Sequence, residues 1–152
     1  GVVRIAPGDR PALERLLQMP PLTTGTLPKR MPRSGVYLFS EGARHLYVGR
    51  SNRLRSRIRR HGVENAKHNV AAFAFRLARE ATGNTVATYR TDGSRRQLVQ
   101  NSVFAAAFRD AKTRVRSMSV RFVEEADQLK QALLEIYVAV ALNTPYNDFD
   151  TH

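Results

Sequence analysis

Gly35-Val36-Tyr37-Leu38-Phe39-Ser40-Glu41-Gly42-Ala43-Arg44-His45-Leu46-Tyr47-Val48-Gly49 is the stretch whose reading decides the fold. Residues 35–39 and 45–49 are short runs of β-branched, aromatic and aliphatic side chains, and residues 40–44 between them are polar and contain a glycine. That pattern predicts a β-hairpin with its turn at Ser40–Arg44. Tyr37 and Tyr47 each sit mid-strand between aliphatic residues. Alternation places each tyrosine on the face opposite its aliphatic neighbours.

Outward from the hairpin, a short helix is expected from Asn52 to His61, with Ser51 or Asn52 as its cap and Gly62 as its stop. Leu54 and Ile58 are four apart, and Arg57 and His61 fall on the same stripe. Helical spacing recurs over residues 68–81 and 97–116. The Arg-rich segment 84–96 separates these two stretches. Alternation over 118–123 predicts a third strand, and residues 126–142 a long helix that is apolar on nearly every side. Upstream, residues 11–19 predict a helix capped by Asp9, and the prolines between 20 and 34 predict an extended linker packed on the domain. Residues 1–34 therefore read as an N-terminal extension to a domain spanning 35–152.

The chain carries 25 Lys+Arg against 13 Asp+Glu, a formal net charge of +12. The excess is uneven: residues 124–152 hold six acids and one base, so the basic charge lies upstream. Twenty-one of the cations are Arg, whose planar fork matches phosphate oxygens in pairs. A polyanionic partner is expected, with nucleic acid first. Without cysteine there is neither a disulfide framework nor a thiolate metal site. No apolar run is long enough for a membrane span and no secretory leader is visible, so no membrane partner and a cytoplasmic location are expected.

Two residues break the local pattern. Arg57 lies on the packing stripe of a short helix, and Glu135 lies inside Leu133-Leu134-Glu135-Ile136-Tyr137-Val138. A buried carboxylate without a partner costs several kcal/mol or stays protonated. The expected resolutions are a salt bridge, with Arg57 as the candidate partner, or a metal ion.

These residues together resemble the GIY-YIG endonuclease family. The two name-giving tripeptides stand here as Gly35-Val36-Tyr37 and Tyr47-Val48-Gly49, with the tyrosines ten positions apart. The family pattern continues with a basic residue, an Arg, a His or Tyr, a helical Glu, and an Asn beyond that helix. Arg50, Arg57, His61, Glu135 and Asn147 occupy those places. The match covers 35–61 and 117–147. Many members carry Lys where this chain has Arg50, and the stretch from His61 to Glu135 is longer than in compact members. Residues 63–116 therefore read as an insertion.

The resemblance implies an α/β (α+β) fold with a small mixed three-stranded sheet flanked by helices. It also implies metal-dependent hydrolysis of phosphodiester bonds in DNA, with RNA left open, by a monomer or homodimer. In that reading Glu135 holds Mg²⁺ or another divalent ion such as Mn²⁺. Arg57 stabilises transition-state charge on the phosphate. Tyr37 is the first choice to take the proton from the attacking water, with Arg50 and the metal lowering its pKa, and His61 is the competing choice. Tyr47 positions phosphate or water, and Asn147 fixes the local geometry. Arg53, Arg55, Arg90, Arg95 and Arg96 are the candidate nucleic-acid contacts. The alternative is a catalytically inactive DNA-binding module on the same scaffold.

Overall fold

The computed structural model describes residues 8–67, 70–83 and 102–147. The class is α+β. Among these residues the element order is α1 (Asp9–Gln18), β1 (Gly35–Glu41), β2 (Arg44–Ser51), α2 (Leu54–Arg60), α3 (Ala72–Ala81), α4 (Ser102–Ser117), β3 (Ser119–Glu124) and α5 (Gln128–Leu142). Arg90, Arg95, Arg96, His68 and the expected start of a helix at Gln97 lie outside the described residues. The chain forms two compact units, Gly1–Ile58 with Met118–His152, and Arg59–Ser117.

In the first unit the sheet has strand order β2-β1-β3. Both pairings are antiparallel, so the sheet is not mixed as the resemblance implied. Alternation along a strand gives the spacing of side chains and is blind to strand direction, which is why the sequence left this open. The hairpin runs closer to its turn than the polar residues 40–44 suggest. Glu41 pairs with Arg44, leaving Gly42 and Ala43 as the turn. Gly42 has φ 59°, the left-handed value that the first central residue of a type II′ turn needs. The register shifts between Phe39 and Ser40, with Phe39 opposite Tyr47 and Ser40 opposite His45, which leaves Leu46 as the extra residue of a bulge.

Val36, Leu38, Val48 and Val123 project from one face of the sheet into a core with Ala12 and Leu16 of α1 and Leu134, Val138 and Ala139 of α5. Helix α1 thus contributes to this core. It is entered through Gly8 at φ 101°, and Asp9 is its first residue and no side-chain cap. The following segment also belongs to the sheet region: Leu22 bridges Val120, and Arg121 Nε donates to Met19 O at 2.9 Å.

Helix α5 starts at a side-chain cap, with Asp127 Oδ1 accepting from Lys130 N at 2.9 Å. Its apolar residues are not all inside, contrary to expectation. Leu129, Leu133, Ile136 and Val140 are exposed, Leu129 to 70%. Only the face bearing Gln131, Leu134, Val138 and Ala139 is buried.

In the second unit α3 and α4 pack through edge-to-face contacts of Phe75 with Phe104 and Phe108, with centroids 5.1 and 5.8 Å apart. Lys112 is buried over the Phe108 ring, and its ammonium donates to Glu64 O and Ala66 O. Burial lowers its pKa, partly offset by Glu64.

Gly35 is required by close approach. A Cβ there would overlap the carbonyl oxygen of Val123 on β3 and lie 3.1 Å from Glu124 Cα. Gly35→Ala must push two backbones apart and is expected to lower stability by about 2 kcal/mol or more. Gly25→Ala meets nothing within 4 Å and needs no positive φ, so it is expected to be neutral or slightly stabilising. Urea denaturation of the two variants beside wild type checks both.

Candidate active site

The site begins with a cross-strand pair. Tyr37 of β1 stands opposite Gly49 of β2. A Cβ at Gly49 would overlap the Tyr37 hydroxyl and lie 2.9 Å from a ring carbon, so the phenol occupies the space a side chain would fill. Phe39 holds the ring from along the strand in an edge-to-face contact, centroids 5.8 Å apart at 84°. Tyr37 is fully buried.

Its hydroxyl accepts a hydrogen bond from the Arg57 guanidinium. Leu54 and Ile58, both buried, anchor α2 on either side of Arg57. Burial drives the Tyr37 pKa far above the ordinary phenol range, and the nearby Tyr47 and Glu135 push the same way. Arg57 pulls it down through its charge and hydrogen bond, without offsetting the burial. The phenol therefore stays neutral. Burial thus opposes the lowered pKa that a proton-accepting Tyr37 needs: the hydroxyl loses more from desolvation than the Arg57 guanidinium returns.

Glu135 reaches the site from α5. Its Oε1 is 3.7 Å from Arg50 Nε, with side chains 20% and 41% exposed. Burial raises its pKa and Arg50 lowers it in part. The sequence offered Arg57 as the partner of Glu135; the ion pair found is with Arg50, while Arg57 binds Tyr37. Tyr37, Tyr47, Arg57, Glu135 and Arg50 are thus brought together within the first unit.

Two residues brace this arrangement: Gln131, which the sequence reading missed, and Asn147, which it expected to fix the local geometry. Gln131, one turn before Glu135 and buried, donates through Nε2 to Asn52 Oδ1 at 2.8 Å and to Glu125 O at 2.7 Å. It ties α5 to the residues just beyond β2, so Glu135 and Arg50 keep their spacing. Its signal was a polar residue four positions before Glu135 in an apolar helix. Asn147 Oδ1 accepts from Val48 N at 2.8 Å and Asn147 Nδ2 donates to Val48 O at 2.7 Å. The amide pairs with the open edge of β2 as another strand would. Thr144 Oγ1 donates to Asn147 Oδ1 at 2.8 Å and Tyr146 N donates to Leu46 O at 3.2 Å, which extends that edge contact.

The other candidates have these surroundings. Arg53 is exposed, its backbone N–H bonded to Ser51 Oγ. Arg55 does not present its guanidinium to solvent alone: Nη2 donates to Pro28 O and to Lys29 O. His61 belongs to the second unit and is fully buried.

No cluster of three His, Cys, Asp or Glu able to hold a metal lies among the described residues. A single carboxylate still fits a hard cation such as Mg²⁺, which keeps several waters and takes further oxygens from a bound phosphate. Glu135 has the required property, a carboxylate charge that is held in a partly buried place and only partly compensated by Arg50. Comparison of the chain with family models, curated proteins and solved structures found no match.

Because the folded pKa of Glu135 is raised, the native state keeps its proton between the unfolded and the folded pKa, where the unfolded chain has released it. Its contribution is favourable below the ordinary carboxylate range and is lost as pH rises through the raised folded value. Glu135→Gln cannot ionise, so its stability relative to wild type is expected to rise between about pH 4 and pH 7. Added Mg²⁺ at pH 7 should raise the melting temperature of wild type and leave that of the variant unmoved. Thermal melts at the two pH values, with and without Mg²⁺, check both statements.

Proposed function

We propose that this chain is a metal-dependent endonuclease that hydrolyses phosphodiester bonds in DNA. The observation that carries the reading is the guanidinium of Arg57 bound to a buried neutral phenol, with Glu135 and Tyr47 acting on the same hydroxyl. Arg57 is held by its bond to Tyr37 before any ligand arrives, so little reorganisation is needed when phosphate charge builds. Arg50 adds a second guanidinium beside Glu135. Tyr37 stays protonated and acts as the fixed acceptor that aims Arg57. Glu135 would hold a divalent cation, which when bound would supply Lewis-acid polarisation of the scissile phosphate. The basic excess of the chain supports a polyanionic substrate.

A plasmid assay tests the reading. Wild type with Mg²⁺ is expected to nick supercoiled circles first, since one site per chain cuts one strand per encounter. EDTA and Glu135→Gln should each abolish cleavage, and Arg57→Ala should reduce it by on the order of 10²–10³. A chain that binds DNA and leaves it intact under these conditions would be a binding module and not a nuclease.

The Tyr37 environment makes a separate statement about pH. Its phenolate fraction at pH 8 is below about 1% even at an ordinary phenol pKa, and burial lowers it further. Tyr37→Phe is therefore expected to reduce the cleavage rate by the same factor at every pH from about 7 to 9. A ratio of wild type to variant that grows tenfold per pH unit would return Tyr37 to the role of proton acceptor.

A further inference from the structure

Arg55 is an arginine on a basic helix whose guanidinium is turned to backbone carbonyls. It donates to Pro28 O and, at 3.0 Å, to Lys29 O. The segment it grips is Lys29-Arg30-Met31-Pro32-Arg33, three cations in five residues with no acid. The far end of this segment is fixed too. Leu54 N, a first-turn donor of α2 without an intrahelical acceptor, donates to Arg33 O at 2.9 Å, and Glu125 N donates to Ser34 O at 3.0 Å. Pro28 and Pro32 restrict the backbone further.

The side chains of this strap sort by chemistry. Met31 and Pro32 are half-buried, whereas Lys29, Arg30 and Arg33 are exposed. No salt bridge among the described residues involves these three cations. The strap leads directly into β1, and Arg33 is only four residues from Tyr37. Arg53, also exposed, stands at the start of α2 beside it. An open groove along the strap is lined by Arg30, Met31, Pro32 and Glu124. Glu124 gives the groove one acidic wall, which directs an anionic ligand toward the cations.

We propose that residues 29–33 form a pre-fixed tract for the phosphate backbone of duplex DNA, and that Arg55 is the positioning residue that holds it in place. The proposal rests on the endonuclease reading and names where its substrate lies. Five residues of chain span at most about 17 Å, the rise of about five nucleotides of one strand. That length lets the three cations meet successive phosphates on a strand running to the site. A fixed tract loses less conformational freedom on binding than a free basic tail.

The test is binding of the full chain to a short DNA duplex, without divalent cation, between about 50 and 200 mM salt. Wild type is expected to bind with a steep fall of log K against log salt. Changing Lys29→Ala, Arg30→Ala and Arg33→Ala together leaves every backbone bond of the strap in place, so folding is retained. That variant should bind more weakly and with a slope shallower by about 2–3, one phosphate contact per lost cation. Arg55→Ala should also weaken binding, yet add no further loss when combined with the triple change. An unchanged slope in the triple variant, beside a steep wild-type slope, would overturn the tract and leave the nuclease reading in place. A further loss from Arg55→Ala on top of the triple change would overturn its positioning role, because Arg55 would then touch DNA itself. Absence of binding by wild type would overturn the nuclease reading and this proposal with it.

Discussion

The phenol of Tyr37 is sealed into the sheet by the missing side chain of Gly49, and the rest of the site is arranged around that fact. Only glycine opposite Tyr37 leaves room for the ring to lie across β2, and only there is the hydroxyl fully desolvated. A desolvated phenol stays neutral and keeps a lone pair to offer. Arg57 takes that offer from α2, whose two buried aliphatic residues leave it little freedom to swing away. The two glycines that flank the hairpin therefore act differently. Gly49 makes space for a side chain, and Gly35 makes space for the backbone of β3.

Charge is distributed over this frame with a consistent logic. Arg57 is bonded to a neutral group and keeps its full charge for a ligand. Glu135 is only partly compensated, by an arginine 3.7 Å away rather than by a close bidentate pair. A tight Arg–carboxylate fork would have satisfied Glu135 and left little field for a cation. Gln131 explains how the looser distance is kept, since its bonds to Asn52 and to the backbone of Glu125 tie α5 to the end of β2 at a fixed spacing. Asn147 does similar work at the sheet edge, where its amide takes both polar groups of Val48 and leaves that part of β2 with nothing to pair.

The hairpin and the helices were legible because each buries one face, and burial writes its period into the sequence. Gly42 lay within the polar stretch that marked the turn, but its extent was overestimated, because strand pairing at Glu41 and Arg44 runs through backbone groups that carry no side-chain signature. Strand direction was illegible for the same reason. Helix α5 read as buried all round because Leu129, Leu133, Ile136 and Val140 are apolar, and hydrophobicity records what a face can do and not what covers it. The residues that meet at Tyr37 were readable through their order along the chain. Their pairing was not, because Arg50 and Arg57 are the same residue type and only geometry decides which meets the carboxylate and which the phenol.

Arg55 carries that ambiguity to its end. A guanidinium selects planar oxygen acceptors, and a main-chain carbonyl and a phosphate satisfy it equally well in kind. In a basic helix, composition assigns every arginine to the polyanion. The fold takes one of them out of that role, spends it on the carbonyls of Pro28 and Lys29, and fixes three exposed cations in exchange. The basic surface near the site therefore extends beyond the helix face that the sequence displays. It includes a segment some twenty residues upstream, whose prolines marked it as a linker. Prolines that forbid regular structure also restrict the unfolded chain, so holding such a segment in one shape costs less entropy than holding a glycine-rich one. A few backbone bonds from α2 and from the residues just after β3 are then enough to turn a linker into a surface.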